Sequence, residues 1–531
     1  PDDFAAAPAA GFEQVWNAQR ALWDGLLNQL TIDIPESRLI KVMKSNVGYV
    51  MVNRDAPWFK PGSRNYNHSW MRDGALTGVA MLRMGRPDLV KQFVESFFGF
   101  VGDNGWVPFL IMEEGNPNGY NPNLEVGEGH EYDSQGEFPF IVRQYYDYTG
   151  DRAMLEKVYP KVEKALEFAR GLRRLRMTDA YKNEPAKKEY YGILPASNSH
   201  EGYFPAKHSY WDDLWVIKGF KDGAYLATVL GKNNDAVWMK AEAEDLRKCT
   251  YESMVSVSKR AGINQIPGCV EFGDMDATST SVGIMACDET DFMPQPELKN
   301  TFDNYYKHIS KRFNGERDTF TPYEARNVDV FIRIGQRDRA LALLRYFVYD
   351  STRPSGWNHL AEVVHEKYRA PSYIGDMPHT WCGSDLINAT RSIFAYELGD
   401  QLVLAAGIDP AWLDKGVAVK NLFTQYGAVD YRIRQENGEV KMTFEGAAKP
   451  AGGFIVPLPE SLTNLSAEIN GQPAQIVDGK IRFNQLPAQV RLFTPAPPPA
   501  VEPEPVVEPA PVAETAPATE PAPAVEPVPA P

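Results

Sequence analysis

Apolar residues recur along most of this chain at the three- and four-residue spacing of helices, and the segments that show this spacing fall into pairs. In each pair a helix that is apolar nearly all round stops at a glycine, an aspartate follows, and an amphipathic helix begins. Gly85 precedes Asp88, Gly150 precedes Asp151, Gly231 precedes Asp235, Gly335 precedes Asp338, and Gly399 precedes Asp400. The glycine can take the left-handed conformation that ends one helix, and the aspartate can accept from the free N–H groups that open the next. The apolar members are predicted over residues 70–84, 136–149, 211–230, 324–334 and 384–398, with 39–52 as a sixth, preceded by the amphipathic segment 13–30. Helices apolar all round belong inside and their amphipathic partners outside. The expected fold class is therefore mainly α: an (α/α)6 toroid of helical hairpins in two rings. Uneven spacing between the pairs argues against a regular solenoid.

The period changes after Leu413. Residues 416–495 alternate apolar and polar (VDYRIRQ, EVKMTFE, IRFNQL) with Asn-Gly and Asp-Gly turns, the pattern of a small C-terminal β-sandwich. From Ala496 to Pro531 the chain is almost entirely Pro, Ala, Val and Glu, which cannot bury a core and is expected to be a disordered, Pro-rich tail. The expected domains are a catalytic barrel over 1–415, the sandwich over 416–495 and the tail over 496–531.

At 531 residues and 43% hydrophobic content the chain can bury a large core. A net charge of −15 with no basic cluster disfavours nucleic acid and anionic membrane as partners, although six glutamates of the tail contribute to it. Cys249, Cys269, Cys287 and Cys382 lie far apart with no CxxC, so neither a zinc motif nor a disulfide framework is read; no metal and no cofactor is expected. No apolar run approaches the ~20 residues of a membrane helix. The chain opens at Pro1 without a signal-like segment, which suggests a trimmed precursor, and a secreted or periplasmic monomer is expected.

The unusual residues cluster where the apolar helices begin. The long stretches 102–133 and 258–296 are rich in Gly, Asn, Asp and aromatics, as functional loops are. Four segments pair acids with rings. NYNHSWMRDGAL offers Tyr66, His68, Trp70, Arg72 and Asp73; HEYDSQGEF offers His130, Glu131, Asp133 and Glu137. SNSHEGYFPAKHSYWDDLW brings His200, Glu201, His208, Tyr210, Trp211, Asp212 and Asp213 together. SGWNHLAEVVHEKY, followed by IGDMPHTWCGSDLI, adds Trp357, Glu362, Glu366, His379 and Trp381. Aromatic planes suit the apolar faces of sugars, and a carboxyl crowded by rings has its charged form desolvated, which suits a general acid. The plainer readings are helix caps for Asp133 and the Asp212–Asp213 pair, and a buried scaffold ion pair for Arg72 and Asp73.

SWMRDGAL resembles the segment that opens an inner helix in glucoamylases and related six-hairpin glycosidases, where the arginine and aspartate bind the terminal sugar. YWDDLW resembles the place of their general acid, and HLAEVV followed by HTWCGSDLI resembles the segment that carries their general base. The resemblance spans residues 35–410. It implies an inverting glycoside hydrolase in which Asp212 or Asp213 is the acid and Glu362 the base. In that picture Tyr66, Trp70, Arg72, Asp73, Glu131, Asp133, Glu201, Tyr210, Trp211, Trp357, His379 and Trp381 shape a carbohydrate pocket. Aspartates stand where glucoamylase has glutamates, and His200, Glu201 and His379 have no assigned counterpart. The same double ring also serves polysaccharide lyases and sugar epimerases, for which His200, His208 and His379 are available as bases. A non-catalytic glycan-binding protein is the other alternative.

Overall fold

A computed structural model describes residues 11–112, 115, 117–118, 129–200, 202–316, 318–350, 360–364, 375–494, 518–520 and 522–524. Pro1–Thr494 forms one compact unit and Pro495–Pro531 a second.

Among the described residues of the first unit, twelve helices alternate between an outer and an inner ring. In chain order they are α1 (Ser37–Asn53), α2 (Met71–Arg83), α3 (Pro87–Phe97), α4 (Ser134–Thr149), α5 (Arg152–Arg174) and α6 (Tyr210–Val229). They continue with α7 (Asn233–Ala261), α8 (Ala277–Met285), α9 (Glu297–Phe313), α10 (Asn327–Arg333), α11 (Arg337–Arg345) and α12 (Thr380–Phe394). The even-numbered helices pack in sequence against one another and close where α12 meets α2; the odd-numbered ones lie outside them. This is the (α/α)6 toroid. Every residue of α2 and of α12 is buried.

Two features differ from the hydrophobic pattern. Segment 39–52 is an outer helix: α1 packs on α12 and keeps Arg38, Lys41 and Val52 at the surface. The sixth inner helix is instead α8, inside the stretch read as a long loop. Its sequence, ATSTSVGIM, is short and rich in hydroxyls, so it has no apolar signature, yet it is almost wholly buried, with Asp276 capping the N–H groups of Thr278 and Ser279. The other correction is at Gly399–Asp400. Helix α12 ends at Phe394, and Ala395–Leu398 pairs with Gln401–Leu404, so this glycine and aspartate make a tight hairpin turn.

That hairpin begins a β-sandwich. One sheet has seven antiparallel strands in the order Thr31–Asp33, Val417–Leu422, Val429–Glu436, Glu439–Gly446, Ala488–Phe493, Ser466–Ile469 and Gln472–Ala474. The other has Lys480–Phe483, Phe454–Pro457, Gln401–Leu404 and Ala395–Leu398. Alternate residues of Val429–Glu436 turn inward, and Phe444 of one sheet meets Phe483 of the other at 5.2 Å between ring centroids. All four cysteines are buried and unpaired. Among the described residues no helix is long and apolar enough to cross a membrane.

Candidate active site

Acids and imidazoles gather at one mouth of the barrel, where the inner helices begin and their unpaired N–H groups favour negative charge. Arg72 and Asp73 lie in the first turn of α2, and Asp212 and Asp213 in that of α6; Asp133, Asp276 and His379 are the cap residues of α4, α8 and α12. Arg72, only 3% exposed, is the hub. Its Nη1 donates to Glu131 and, at 3.3 Å, to Asp133, while its Nε lies 3.9 Å from Asp73. Asp133 also caps Ser134 N–H and accepts from Trp211 Nε1 at 2.9 Å, so capping and ion pairing coexist on one side chain.

A continuous belt of rings runs across this mouth. His200 meets Trp211 at 4.7 Å between centroids, Trp211 meets Trp381 at 6.3 Å, and Trp381 meets Tyr323 at 4.2 Å. Tyr323 meets His379 at 5.7 Å, His379 meets Tyr66 at 5.1 Å, and Tyr66 meets Trp70 at 5.3 Å. At the Tyr66 end stands Glu362, whose Oε1 accepts from the Tyr66 hydroxyl at 2.7 Å. Gly375 presses on that carboxyl with φ +60°, and a Cβ there would fall 1.9 Å from Glu362 Oε2, so no side chain fits. The loop carrying Tyr66 is pinned by Asp376, which accepts from the N–H groups of Arg64, Asn65 and Tyr66. Burial pushes the Asp376 carboxyl up, but these N–H donors outweigh it and hold it below its usual value.

At the other end the two neighbouring aspartates diverge. Asp212 Oδ2 accepts from Ser197 Oγ at 2.5 Å, and its Oδ1 lies 2.9 Å from Ser199 Oγ. Burial, followed by the repulsion of Asp133, pushes this carboxyl well above its usual range. Asp213 points away from the mouth, accepts from Leu194 N–H at 2.9 Å, and is raised by burial to about 7. Tyr210 also turns outward, with its hydroxyl 2.7 Å from Ser253 Oγ on α7. Burial holds His200 down at about 4 and His379 at about 3, so both rings are neutral near pH 7. Glu201 and Trp357, with Glu366, lie outside the described residues.

Two groups joined the site without being singled out in the sequence. Arg326 lies over Trp211, Tyr323 and Trp381 at 5.0–5.5 Å and donates to Asp385 at 2.8 Å. Tyr323 completes the belt. Both belong to TPYEARN, which opens inner helix α10 with the same pairing of acid, ring and arginine as the other segments, and that rule would have found them. Glu137, one of the acids of HEYDSQGEF, is fully buried beneath Asp133 with neither carboxyl oxygen hydrogen-bonded. Burial, then the repulsion of Asp133, drives its carboxyl well above its usual range.

A cavity of about 760 Å³ opens at the opposite mouth, lined by Arg83, Arg143, Lys218, Asp222, Arg333 and Glu397 among others. Its charges are spent on one another: Arg143 on Asp147 and Asp222, Lys218 on Asp222 and Asp288, Arg333 on Asp329. The belt and its two carboxyl stations lie at the mouth where the helices begin.

No protein-family model matches the chain, and neither does any curated protein sequence. Solved structures similar to it include an α-L-rhamnosidase from Dictyoglumus thermophilum, at 12% identity over 88% of this chain and 50% of that one, with a TM-score of 0.60. The α-L-rhamnosidase of Streptomyces avermitilis complexed with L-rhamnose gives 15% identity, 87% and 42% coverage and a TM-score of 0.57. That of Aspergillus terreus gives 14%, 86%, 50% and 0.54. The chain spans about half the length of these proteins, and what it shares with them is the fold, an (α/α)6 barrel.

Proposed function

We propose that the protein is a glycoside hydrolase that cleaves an oligo- or polysaccharide with inversion at the anomeric carbon. The observation that carries this reading is the belt of rings with a carboxyl station at each end, Asp212 beside Asp133 and Glu362 beside Tyr66. A sugar ring laid on the belt meets apolar faces below and carboxylates at its rim. Asp212, whose charged form burial disfavours, protonates the leaving oxygen, and Glu362 takes a proton from water attacking the opposite face. Inversion needs the two carboxyls ~6.5–9.5 Å apart to admit that water. Arg72, Asp73, Glu131 and Asp133 hold ring hydroxyls, and the orientation of Asp213 toward Leu194 suits a scaffold role. The rhamnosidases that share the fold make aryl α-L-rhamnosides the first probes, with glucosides and galactosides beside them. The acidic, Pro-rich tail suits an exported protein held away from a surface.

The test is a screen of purified protein against such glycosides and oligosaccharides, with NMR of the first-formed sugar. The opposite anomer to the substrate's is expected, and retention would reject the mechanism. Glu362→Gln is expected to lower kcat by about 10³-fold or more. Asp212→Asn should spare substrates with good leaving groups, and Glu201→Gln is compared with it; if only the latter shows that pattern, the acid is Glu201. Unsaturated products would instead favour a lyase using the neutral His200 or His379 as base, and binding without turnover a glycan-binding protein.

A further inference from the structure

Behind Asp212 lies a chain of hydrogen-bonding groups to which the mechanism above gives no part. Ser199 Oγ, 2.9 Å from Asp212 Oδ1, is also 3.1 Å from His200 Nδ1. His200 Nε2 is 3.2 Å from Ser279 Oγ, and Ser279 Oγ is 2.5 Å from Asp276 Oδ2. Three structural elements supply these groups: the loop before α6, α6 itself, and the first turn of α8. Ser199 holds a left-handed backbone, φ +53°, which strains a residue with a Cβ. That strain places its N–H on Ser197 Oγ at 2.8 Å and its hydroxyl between Asp212 and His200.

With His200 neutral, counting hydrogens gives the chain one direction. Asp276 is the ionised cap of α8, accepting from the Thr278 and Ser279 N–H groups, so the single Ser279 hydroxyl hydrogen goes to its Oδ2. Ser279 Oγ is then an acceptor, and His200 must present N–H at Nε2. A neutral imidazole has one donor and one acceptor, which leaves Nδ1 to accept from Ser199. Ser199 has only one hydrogen, so while it goes to Nδ1 the contact with Asp212 is made with the protonated carboxyl as donor. Ser197 donates to the other oxygen of Asp212, and every contact is satisfied.

We propose that Asp276, Ser279, His200 and Ser199 form a hydrogen-bond relay that keeps Asp212 in its acid form between turnovers, with His200 as the positioning residue. The proposal rests on the reading of Asp212 as the acid. An alternative arrangement satisfies the same contacts with the same hydrogens: an ionised Asp212 accepting from Ser199, and an imidazolium at His200. The two differ by one proton passed from Asp212 through Ser199 to Nδ1. The groups facing His200 decide between them: burial and the positive Arg72 and Arg326 oppose a charged ring, while Asp276 and Asp133 favour it, and the balance leaves the ring neutral. Around Asp212, Asp133 and Asp213 likewise oppose the anion. Once Asp212 has given its proton to a leaving group, Ser199 has one hydrogen for two acceptors, and a proton taken up from solvent by Asp212 restores both bonds.

The experiment follows the two end groups by NMR in the full chain, with ¹⁵N-labelled histidine and ¹³C-carboxyl-labelled aspartate. In the parent, His200 should carry its proton on Nε2 and an unprotonated Nδ1 through neutral pH. Ser279→Ala removes the acceptor of Nε2–H, so the ring should move toward the Nδ1–H form, Ser199 should turn to Asp212, and the Asp212 titration should fall by about one pH unit or more. Ser279→Thr should restore both. A proton found on Nδ1 in the parent, or an Asp212 titration that ignores Ser279→Ala, would overturn the relay. Neither readout uses turnover, so failure of the hydrolase reading, judged by the anomer and leaving-group experiments, is told apart from failure of the relay.

Discussion

Asp212 and Asp213 adjoin in the first turn of α6, yet successive helix residues point about 100° apart, so one faces the mouth and the other the backbone of Leu194. Asp213 is held at about 7, above the ordinary carboxylate value. Between roughly pH 4 and 7 the folded chain therefore binds more protons there than the unfolded one, and stability falls as pH rises through that window. Asp213→Asn keeps an oxygen for the Leu194 N–H and has no charge to bury. Its advantage in stability over the parent, followed by melting, should be absent near pH 4, grow to pH 7 and then level off, at no more than about 2–4 kcal/mol. A difference independent of pH would show that the charge is not what the site resists. Arg72 requires a different expectation. With Asp73, Glu131 and Asp133 on one guanidinium, Arg72→Ala leaves buried carboxylates unneutralised and should cost about 3–5 kcal/mol of stability besides activity, read by melting at neutral pH.

At the scale of helices, the inner ring closes because small residues stand where two backbones cross. A Cβ on Gly136 of α4 would lie 2.0 Å from Trp215 O on α6, and one on Gly219 of α6 would lie 2.7 Å from the Gly136 Cα. Backbone cannot yield as a flexible side chain does. Gly136→Ala should therefore push α4 from α6, cost about 3 kcal/mol or more, and spread Asp133 from Trp211. The Tm should drop by several degrees and any turnover should fall with it; an unchanged melt would mean that the two helices separate freely. Gly231→Ala provides the contrast: nothing lies within 4 Å of a Cβ there, and only its φ of +75° opposes the change.

Over the whole molecule the sandwich and barrel share elements. Strand Thr31–Asp33 precedes the barrel in sequence but pairs with Val417–Leu422, and buried Arg391 of α12 donates to the carbonyls of Ala395 and Phe423. Ending the chain at residue 416 would strip Thr31–Asp33 of its partner strand and leave the Arg391 guanidinium without the Phe423 carbonyl. Such a protein should be largely insoluble or melt far below the parent. Ending it at Thr494 removes only a Pro-, Ala- and Glu-rich stretch and should leave Tm and turnover unchanged; a drop of many degrees would show that the tail packs on the body.

The sequence alone determined whatever depends on the period of apolar residues and on turn chemistry. That includes five of the six inner helices, the glycine stops at Gly85, Gly150 and Gly335, the sandwich, and the gathering of Arg72, Asp133, Asp212 and His379 at helix starts. These are local properties, written in the spacing of neighbouring residues. Tertiary structure alone decided the rest. It put segment 39–52 outside and the hydroxyl-rich α8 inside, because burial depends on what surrounds a helix and α8 carries no apolar period to announce it. It turned Tyr210 and Asp213 away from the mouth, brought Arg326 and Tyr323 into the belt, and aligned Asp276, Ser279, His200 and Ser199 behind Asp212. Each of those outcomes is a distance between residues far apart in the chain, which folding fixes through packing and which no spacing along the sequence encodes.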